Sequence, residues 1–110
     1  MLQTVIQKRT QSTLLIPSRF KNDYLEKVKP LGREIYFHFL IKRYSPLVKA
    51  GVFGNRKTIK VSYQKEEGTL IRKNFRPINS DWIELGMLAD YLGLSKTALF
   101  TLFLKLDISD

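Results

Sequence analysis

The chain of 110 residues has 44% hydrophobic residues and a formal net charge of +9, which fits a single domain, residues 1–110, with its own hydrophobic core. It contains no cysteine and one histidine; this excludes disulfides, thiolate nucleophiles and cysteine-ligated zinc, and we expect neither a metal nor a cofactor. No signal peptide or apolar run near the roughly 20 residues needed to span a bilayer is evident, so we expect a cytoplasmic protein with no membrane partner.

In the first half of the chain, residues 10–50, the sequence predicts a strand followed by two helices. Residues 11–16 are β-prone and end at Pro17, which cannot donate to a strand ladder. Apolar residues then recur at helical spacing from Ser18 to about Lys29. A second, strongly apolar helix is predicted from Arg33 to about Lys49.

Residues 51–68 form a basic linker that also contains a candidate strand. The segment from Thr58 to Tyr63 alternates apolar and polar residues, as a half-buried strand does. Glu66, Glu67 and Gly68 then predict a turn into the strand that follows. A local hairpin between these two strands therefore remains an alternative to pairing with the first half.

The second half, residues 69–108, repeats the order strand, helix, helix. A short basic strand is predicted at 71–76, followed by a helix whose start fits a capping box made by Asp81 and Glu84, with Asn79 and Ser80 as competing caps. Gly93 is expected to end this helix. Ser95 can then cap the last helix.

The last helix is apolar around nearly its whole circumference, which predicts burial in the core. The DNA-contacting helix of a helix-turn-helix needs a polar outer face instead. Lys96, Thr97 and Thr101 would be its contacts, and the apolarity of the helix makes this the less favoured design. The strand before the helix pair is therefore the better candidate for contacting DNA.

In the spacing of Leu88-Ala89, Gly93, Ser95 and Leu99-Leu102-Phe103, residues 70–106 resemble the ribbon-helix-helix family of DNA-binding proteins. The resemblance implies that two strand-helix-helix units interlock and that an antiparallel two-stranded ribbon enters the major groove. We accordingly expect an α+β, mainly helical fold. Because the element order occurs twice, the two halves can interlock as a single-chain pseudo-dimer in which the strand at 11–16 pairs with the strand at 71–76. A homodimer is the other expected state. The register of the proposed repeat places Phe37, Leu40, Ile41 and Tyr44 over Leu99, Leu102, Phe103 and Leu106.

Nearly the whole chain also resembles a family of short, uncharacterised spirochaete proteins. The resemblance rests on Asn-Phe-Arg-Pro at 74–77, Asp-Trp-Ile-Glu-Leu-Gly at 81–86 and Leu-Ala-Asp-Tyr-Leu-Gly at 88–93. Thr-Leu-Leu-Ile-Pro at 13–17 and Arg-Tyr at 43–44 add to it. This family implies no activity.

The charge is concentrated in the first part of the chain. Residues 1–60 carry 13 basic and 3 acidic side chains, a balance of +10, whereas residues 61–110 carry 6 and 7, a balance of −1. Such a field favours a polyanion, and double-stranded DNA is the expected partner, although a basic solvated surface is the alternative. The candidate phosphate contacts are Ser95, Lys96, Thr97, Lys42, Arg43, Arg56 and Lys57.

Alternate residues of the basic strand define the candidate base contacts. Arg72, Asn74 and Arg76 share one face, while Phe75 points to the other. Arginine can bridge guanine and asparagine can bridge adenine in the major groove. Gln11 and Thr13 would be the corresponding contacts on the first strand. The alternative is a charged edge strand that deters aggregation.

We expect the protein not to be an enzyme, because the sequence has no glycine-rich phosphate loop and no catalytic motif. No nucleophile and carboxylate accompany His38 in a recognisable catalytic pattern, which favours a packing or surface role for this residue. The function expected is a sequence-specific DNA-binding protein that regulates transcription. The alternative is a protein-protein interaction module, such as an antitoxin-like or phage-related adaptor, whose apolar helix or edge strand docks a partner.

Overall fold

The structure, a computed structural model, describes residues 10–54 and 68–109. The predicted strand at 58–63 and the candidate phosphate contacts Arg56 and Lys57 lie outside the described residues. In chain order the elements are β1 (Ser12–Pro17), a 3-10 turn (Ser18–Phe20), α1 (Lys21–Val28), α2 (Arg33–Lys49), β2 (Leu70–Phe75), α3 (Asn79–Leu92) and α4 (Lys96–Ser109). The prediction of an α+β, mainly helical fold is confirmed.

Strands β1 and β2 form a two-stranded antiparallel sheet, hereafter the ribbon. Ser12 lies opposite Phe75 and Pro17 opposite Leu70, so the strand predicted near the N-terminus does pair with the basic strand of the second half. Each strand is displaced by one residue from its predicted range. Beyond Pro17, the N–H of Ser18 donates to the Thr69 carbonyl at 2.9 Å and continues the pairing.

A glycine separates the helices of the first pair. The N–H of Gly32 donates to the Val28 carbonyl at 2.7 Å, and its own carbonyl accepts from the N–H of Tyr36 at 3.0 Å. Gly32 has a φ of 86°, a conformation that glycine adopts without the steric cost of a Cβ atom. Gly32 therefore both satisfies a carbonyl at the end of α1 and is the N-cap of α2.

The turn between α3 and α4 is built as the sequence predicts. Gly93 adopts a left-handed conformation with a φ of 74°, and the N–H of Leu94 donates to the Ala89 carbonyl at 2.8 Å, a common way to satisfy the last helical carbonyls. Ser95 Oγ accepts from the N–H of Ala98 at 3.0 Å and so caps α4. The axes of the two helices are bent by 97° at this break.

The predicted capping box at the start of α3 is wrong. The helix begins at Asn79, and its N-cap, Ile78, makes no side-chain capping bond. Asp81 is instead buried, with Oδ2 2.7 Å from His38 Nδ1 on α2. Glu84 accepts hydrogen bonds from Ser45 at 3.1 Å and Lys49 at 2.9 Å. Both carboxylates join α3 to α2, where they satisfy polar groups at the helix interface.

Both strands and all four helices of the described residues contribute to one hydrophobic core. Leu99, Phe103 and Leu104 on α4 are fully buried, and so are Leu40 and Ile41 on α2. The predicted burial of the last helix is confirmed, except that Leu102 and Leu106 are only half-buried.

Buried residues follow the same spacing on α2 and on α4. Tyr36 and Phe37 correspond to Leu99 and Phe100, and Leu40 and Ile41 correspond to Phe103 and Leu104. Tyr44 then corresponds to Asp107. This match in spacing is one residue away from the predicted register, which aligns Phe37 with Leu99. In the buried pattern, Phe37 corresponds to Phe100 instead.

A buried carboxylate on α4 collects contacts from the first half. Asp107 accepts a hydrogen bond of 2.7 Å from the Tyr36 hydroxyl. Its oxygens also lie 3.6 Å from Lys27 Nζ and 3.8 Å from Arg43 Nη1. Burial and the hydrogen bond to Asp107 raise the pKa of Tyr36. Burial likewise raises the pKa of Tyr24 to about 12.

Within the described ranges, no single helix is long and apolar enough to cross a membrane. Taken together as a bent pair, α3 and α4 have the length and apolar composition of a membrane span.

Candidate nucleic-acid interface

The outer face of the ribbon carries the side chains predicted to contact bases. Arg72 and Asn74 on β2 are exposed, and Thr13 and Leu15 on β1 are half-buried. Thr13 lies opposite Asn74, and Leu15 lies opposite Arg72. The Thr13 hydroxyl donates to Asn74 Oδ1 at 2.8 Å. This bond turns the amide nitrogen of Asn74 away from Thr13 and leaves it to donate elsewhere.

Two further predicted contacts flank the strands at one end of the ribbon. Gln11 precedes β1 and Arg76 follows β2, and both are exposed. An open pocket of about 290 Å³ lies at this end. Its lining residues are Gln11, Arg33, Glu34, Asn74, Phe75 and Arg76. Four of the five predicted base contacts thus lie at or next to one end of the ribbon, and Arg72 lies two opposite pairs further along.

Arg33 is a member of this region that the sequence did not indicate. It is the first residue of α2, and its Nη1 donates to the Asn74 carbonyl at 2.6 Å. The two residues are 41 positions apart, so no local pattern could have linked them. Arg33 fixes the start of α2 against β2 and adds a second guanidinium beside Arg76.

The inner face anchors the ribbon to both helix pairs. Phe75 is buried, with its ring centroid 5.1 Å from that of Phe37 on α2 and 5.9 Å from that of Trp82 on α3. Edge-to-face packing of this kind stabilises aromatic clusters beyond their area burial. The inward direction predicted for Phe75 is confirmed, and Lys73 on the same face is half-buried. The outer side chains are therefore presented from a rigid base.

The start of α4 lies near the same end of the ribbon, because Lys96 and Phe75 both contact Trp82. Lys96 Nζ is 4.9 Å from the centroid of the Trp82 ring, which itself contacts Phe75. Ser95 and Lys96 are exposed, whereas Thr97 is half-buried. Thr101 is 2% exposed, so of the three residues named for the helix-turn-helix alternative only Lys96 and Thr97 are accessible.

The basic cluster on α2 is not brought to the ribbon. Lys42 and Arg43 are exposed, but they follow Arg33 by two to three helical turns, about 14 Å along the axis. The guanidinium of Arg43 also lies 3.8 Å from Asp107 and 5.8 Å from the centroid of the Phe39 ring. These contacts give Arg43 a structural role that the sequence did not predict.

A metal site is not found in residues 10–54 and 68–109, where no three His, Asp or Glu side chains are grouped to hold an ion. Every buried side-chain nitrogen or oxygen in the same ranges has a hydrogen-bond partner. The buried polar groups of these ranges are thus satisfied by the fold itself.

Fold and surface together define a small, basic α+β protein whose two-stranded sheet presents Arg72, Asn74 and Thr13 on its outer face. The chain belongs to the family described as "Protein of unknown function (DUF1564)", which it matches over residues 2–110. No curated protein and no solved structure matches the chain.

Proposed function

We propose that the protein binds double-stranded DNA sequence-specifically and regulates transcription, with the outer face of the ribbon in the major groove. The observation that carries this proposal is the exposure of Arg72 and Asn74 on an antiparallel two-stranded ribbon with a buried base. The major groove admits a two-stranded ribbon of this size. Arg72 and Arg76 bridge guanine, Asn74 bridges adenine, and Gln11 and Thr13 add hydrogen bonds from the other side.

The architecture proposed is a single-chain ribbon-helix-helix pseudo-dimer. Three observations support it: the strand-helix-helix order occurs twice, β1 pairs antiparallel with β2, and α2 and α4 share a buried pattern. The break residues also correspond, since Gly32 accepts from the N–H of Tyr36 and Ser95 accepts from the N–H of Leu99, each at 3.0 Å. Such a unit covers its own second helices and requires no partner copy.

Phosphate contacts hold the ribbon in the groove in this proposal. Ser95, Lys96 and Thr97 are at the N-terminus of α4, where backbone N–H groups and the helix dipole favour an anion. Arg33 has the corresponding position on α2. Lys42 and Arg43 contribute to the positive field at longer range, and the net charge of +9 accelerates association with a polyanion.

The proposal is tested by selection from random duplex DNA at moderate salt, followed by affinity measurements on variants. Arg72→Ala and Arg76→Ala are each expected to weaken specific binding by about 1 to 3 kcal/mol. Lys105→Ala is the control, because Lys105 lies on α4 with Nζ 5.9 Å from the Phe20 ring. Unchanged footprints for both arginine variants would remove the ribbon from the mechanism.

Salt dependence gives a second test of the same proposal. Removing one cationic side chain that binds a phosphate should reduce the slope of log affinity against log salt by about 0.9. Lys96→Ala is expected to reduce this slope and to weaken binding similarly for all sequences. Arg72→Ala should instead change which sequences are preferred. Affinity that does not fall with salt would contradict DNA binding.

A protein-binding module is the second candidate function, and one surface favours it. The last helix, predicted as a docking element, is buried and unavailable. Ile83, Met87 and Tyr91 on α3 are 60%, 68% and 59% exposed and follow one another in four-residue steps along one side of the helix. If this stripe docks a partner, a stoichiometric protein should co-purify, Met87→Glu should release it, and DNA should not bind.

A further inference from the structure

The two ends of the ribbon's outer face differ in chemistry. At the polar end, Thr13 and Asn74 lie opposite each other, with Gln11 and Arg76 beyond them. At the leucine end, Leu15 lies opposite Arg72, with Leu70 beyond, 43% exposed. The polar end offers amides, a hydroxyl and a guanidinium, whereas the leucine end offers two aliphatic side chains and one guanidinium.

A ribbon made from two identical strands could not differ in this way. The two-fold axis through such a ribbon repeats the same side chains at both ends, and the DNA half-sites mirror that symmetry. Here the two strands belong to different parts of one chain and have unlike sequences. The outer face therefore has a direction along the groove.

We infer that the recognised duplex is non-palindromic and has two unlike half-sites. This inference rests on the proposed DNA binding. The half-site at the polar end is selected by hydrogen bonds, with Asn74 bridging adenine and Arg76 bridging guanine. The half-site at the leucine end is selected by contact of Leu15 with a thymine methyl group, next to a guanine bridged by Arg72. The two opposite pairs are about 7 Å apart along the strands, or about two base-pair steps.

The first experiment is selection of binding sites from random duplex DNA by the full-length protein. An asymmetric motif with different bases in its two halves is the expected result. A palindromic motif would overturn this inference while leaving DNA binding in place. No enrichment of any sequence would overturn both the inference and the proposed function.

The second experiment replaces thymine by uracil, which lacks the methyl group, in the selected duplex. One buried methyl group corresponds to about a fourfold change in affinity. Uracil in the half-site at the leucine end should therefore weaken binding of the unmodified protein about fourfold, and uracil elsewhere should have no effect. Equal affinity for all uracil-substituted duplexes would overturn the assignment of the leucine end.

Variants connect this effect to one side chain. Leu15→Ala should make binding insensitive to uracil, while Leu25→Ala, an exposed leucine on α1, should retain the fourfold effect. Because Leu15 is half-buried, the unfolding midpoint of its variant is measured in parallel. Leu70→Ala is the second variant of the leucine end, at a position that is exposed. Full uracil sensitivity in both Leu15→Ala and Leu70→Ala would overturn the inference.

Discussion

Tyr36 on α2 donates a buried hydrogen bond of 2.7 Å to Asp107 on α4, across 71 positions of sequence. Tyr36→Phe removes the donor and leaves, among the described residues, Lys27 and Arg43 near the carboxylate. Because hydrogen bonds to charged groups contribute about 1.5 to 3 kcal/mol, we expect a loss of that size in the free energy of unfolding, measured in urea at pH 7. Tyr91→Phe, at an exposed position, is the control and should change stability little. Equal effects of the two variants would contradict a stabilising bond.

The same bond makes stability sensitive to alkaline pH. The pKa of Tyr36 is raised in the folded state by burial and by Asp107, so its neutral phenol stabilises the fold fully below the ordinary tyrosine pKa. This contribution is lost as the pH rises through the folded pKa. Tyr36→Phe should therefore flatten the fall in stability above about pH 10.

Unfolding of the two halves should be a single event, because α2 and α4 share one core. Leu40 is fully buried in the first half, and its change to Ala is expected to cost about 2 to 5 kcal/mol. Trp82, the only tryptophan, reports on the second half. Its fluorescence midpoint should fall together with the far-ultraviolet circular dichroism midpoint. A shift in one signal alone would mean that the halves unfold separately. Leu25→Ala, at an exposed position, is the control.

The ion pair between Lys49 and Glu84 should stabilise the fold at neutral pH and not in acid. The hydrogen bond from Lys49 is the main cause that lowers the pKa of Glu84, and Ser45 adds to it. Stability from a lowered carboxyl pKa is present above the unfolded value and lost as pH falls through the folded value. A double-mutant cycle of Lys49→Met and Glu84→Gln should give a coupling below about 1 kcal/mol at pH 7, since Lys49 is largely exposed. A coupling of equal size at pH 2 would contradict the ion pair.

Gly86 allows Lys96 to lie over Trp82. A Cβ atom at position 86 would come within 2.9 Å of Lys96 Cε, so Gly86→Ala must displace the lysine and its contact with the indole, which contributes about 0.5 to 1 kcal/mol. Alanine also raises helix propensity by about 1 kcal/mol. Urea unfolding should therefore show a larger gain from Gly86→Ala when Lys96 is already Ala. The same gain in both backgrounds would mean that Lys96 does not occupy this position.

Much of the fold was predictable because its signals are local. Pro17 ends β1, Gly93 ends α3 and Ser95 caps α4, as the sequence indicates. The predicted bounds of the most apolar helix in the first half agree with Arg33–Lys49. In each case a backbone constraint or a run of apolar residues within one element determines the outcome.

The errors arise where partners are distant in sequence. Asp81 and Glu84 have capping-box spacing, yet their oxygens bind His38, Ser45 and Lys49, 35 to 43 positions away. The contact of Arg33 with Asn74 likewise depends on how α2 packs against β2. In the candidate interface, strand alternation predicted which side chains face outward, whereas the grouping of Arg33, Gln11 and Arg76 around one pocket required the tertiary fold.

The pairing of Ser12 with Phe75 has a consequence for synthesis of the chain on the ribosome. Among the described residues β1 pairs with β2 alone, so the ribbon cannot form between the emergence of the first strand and that of the second. At about 5 to 20 residues per second, the roughly 60 residues between these events take about 3 to 12 s. During that interval Leu14 and Ile16 on β1, which are buried in the complete fold, lack the packing that α4 later gives to β1.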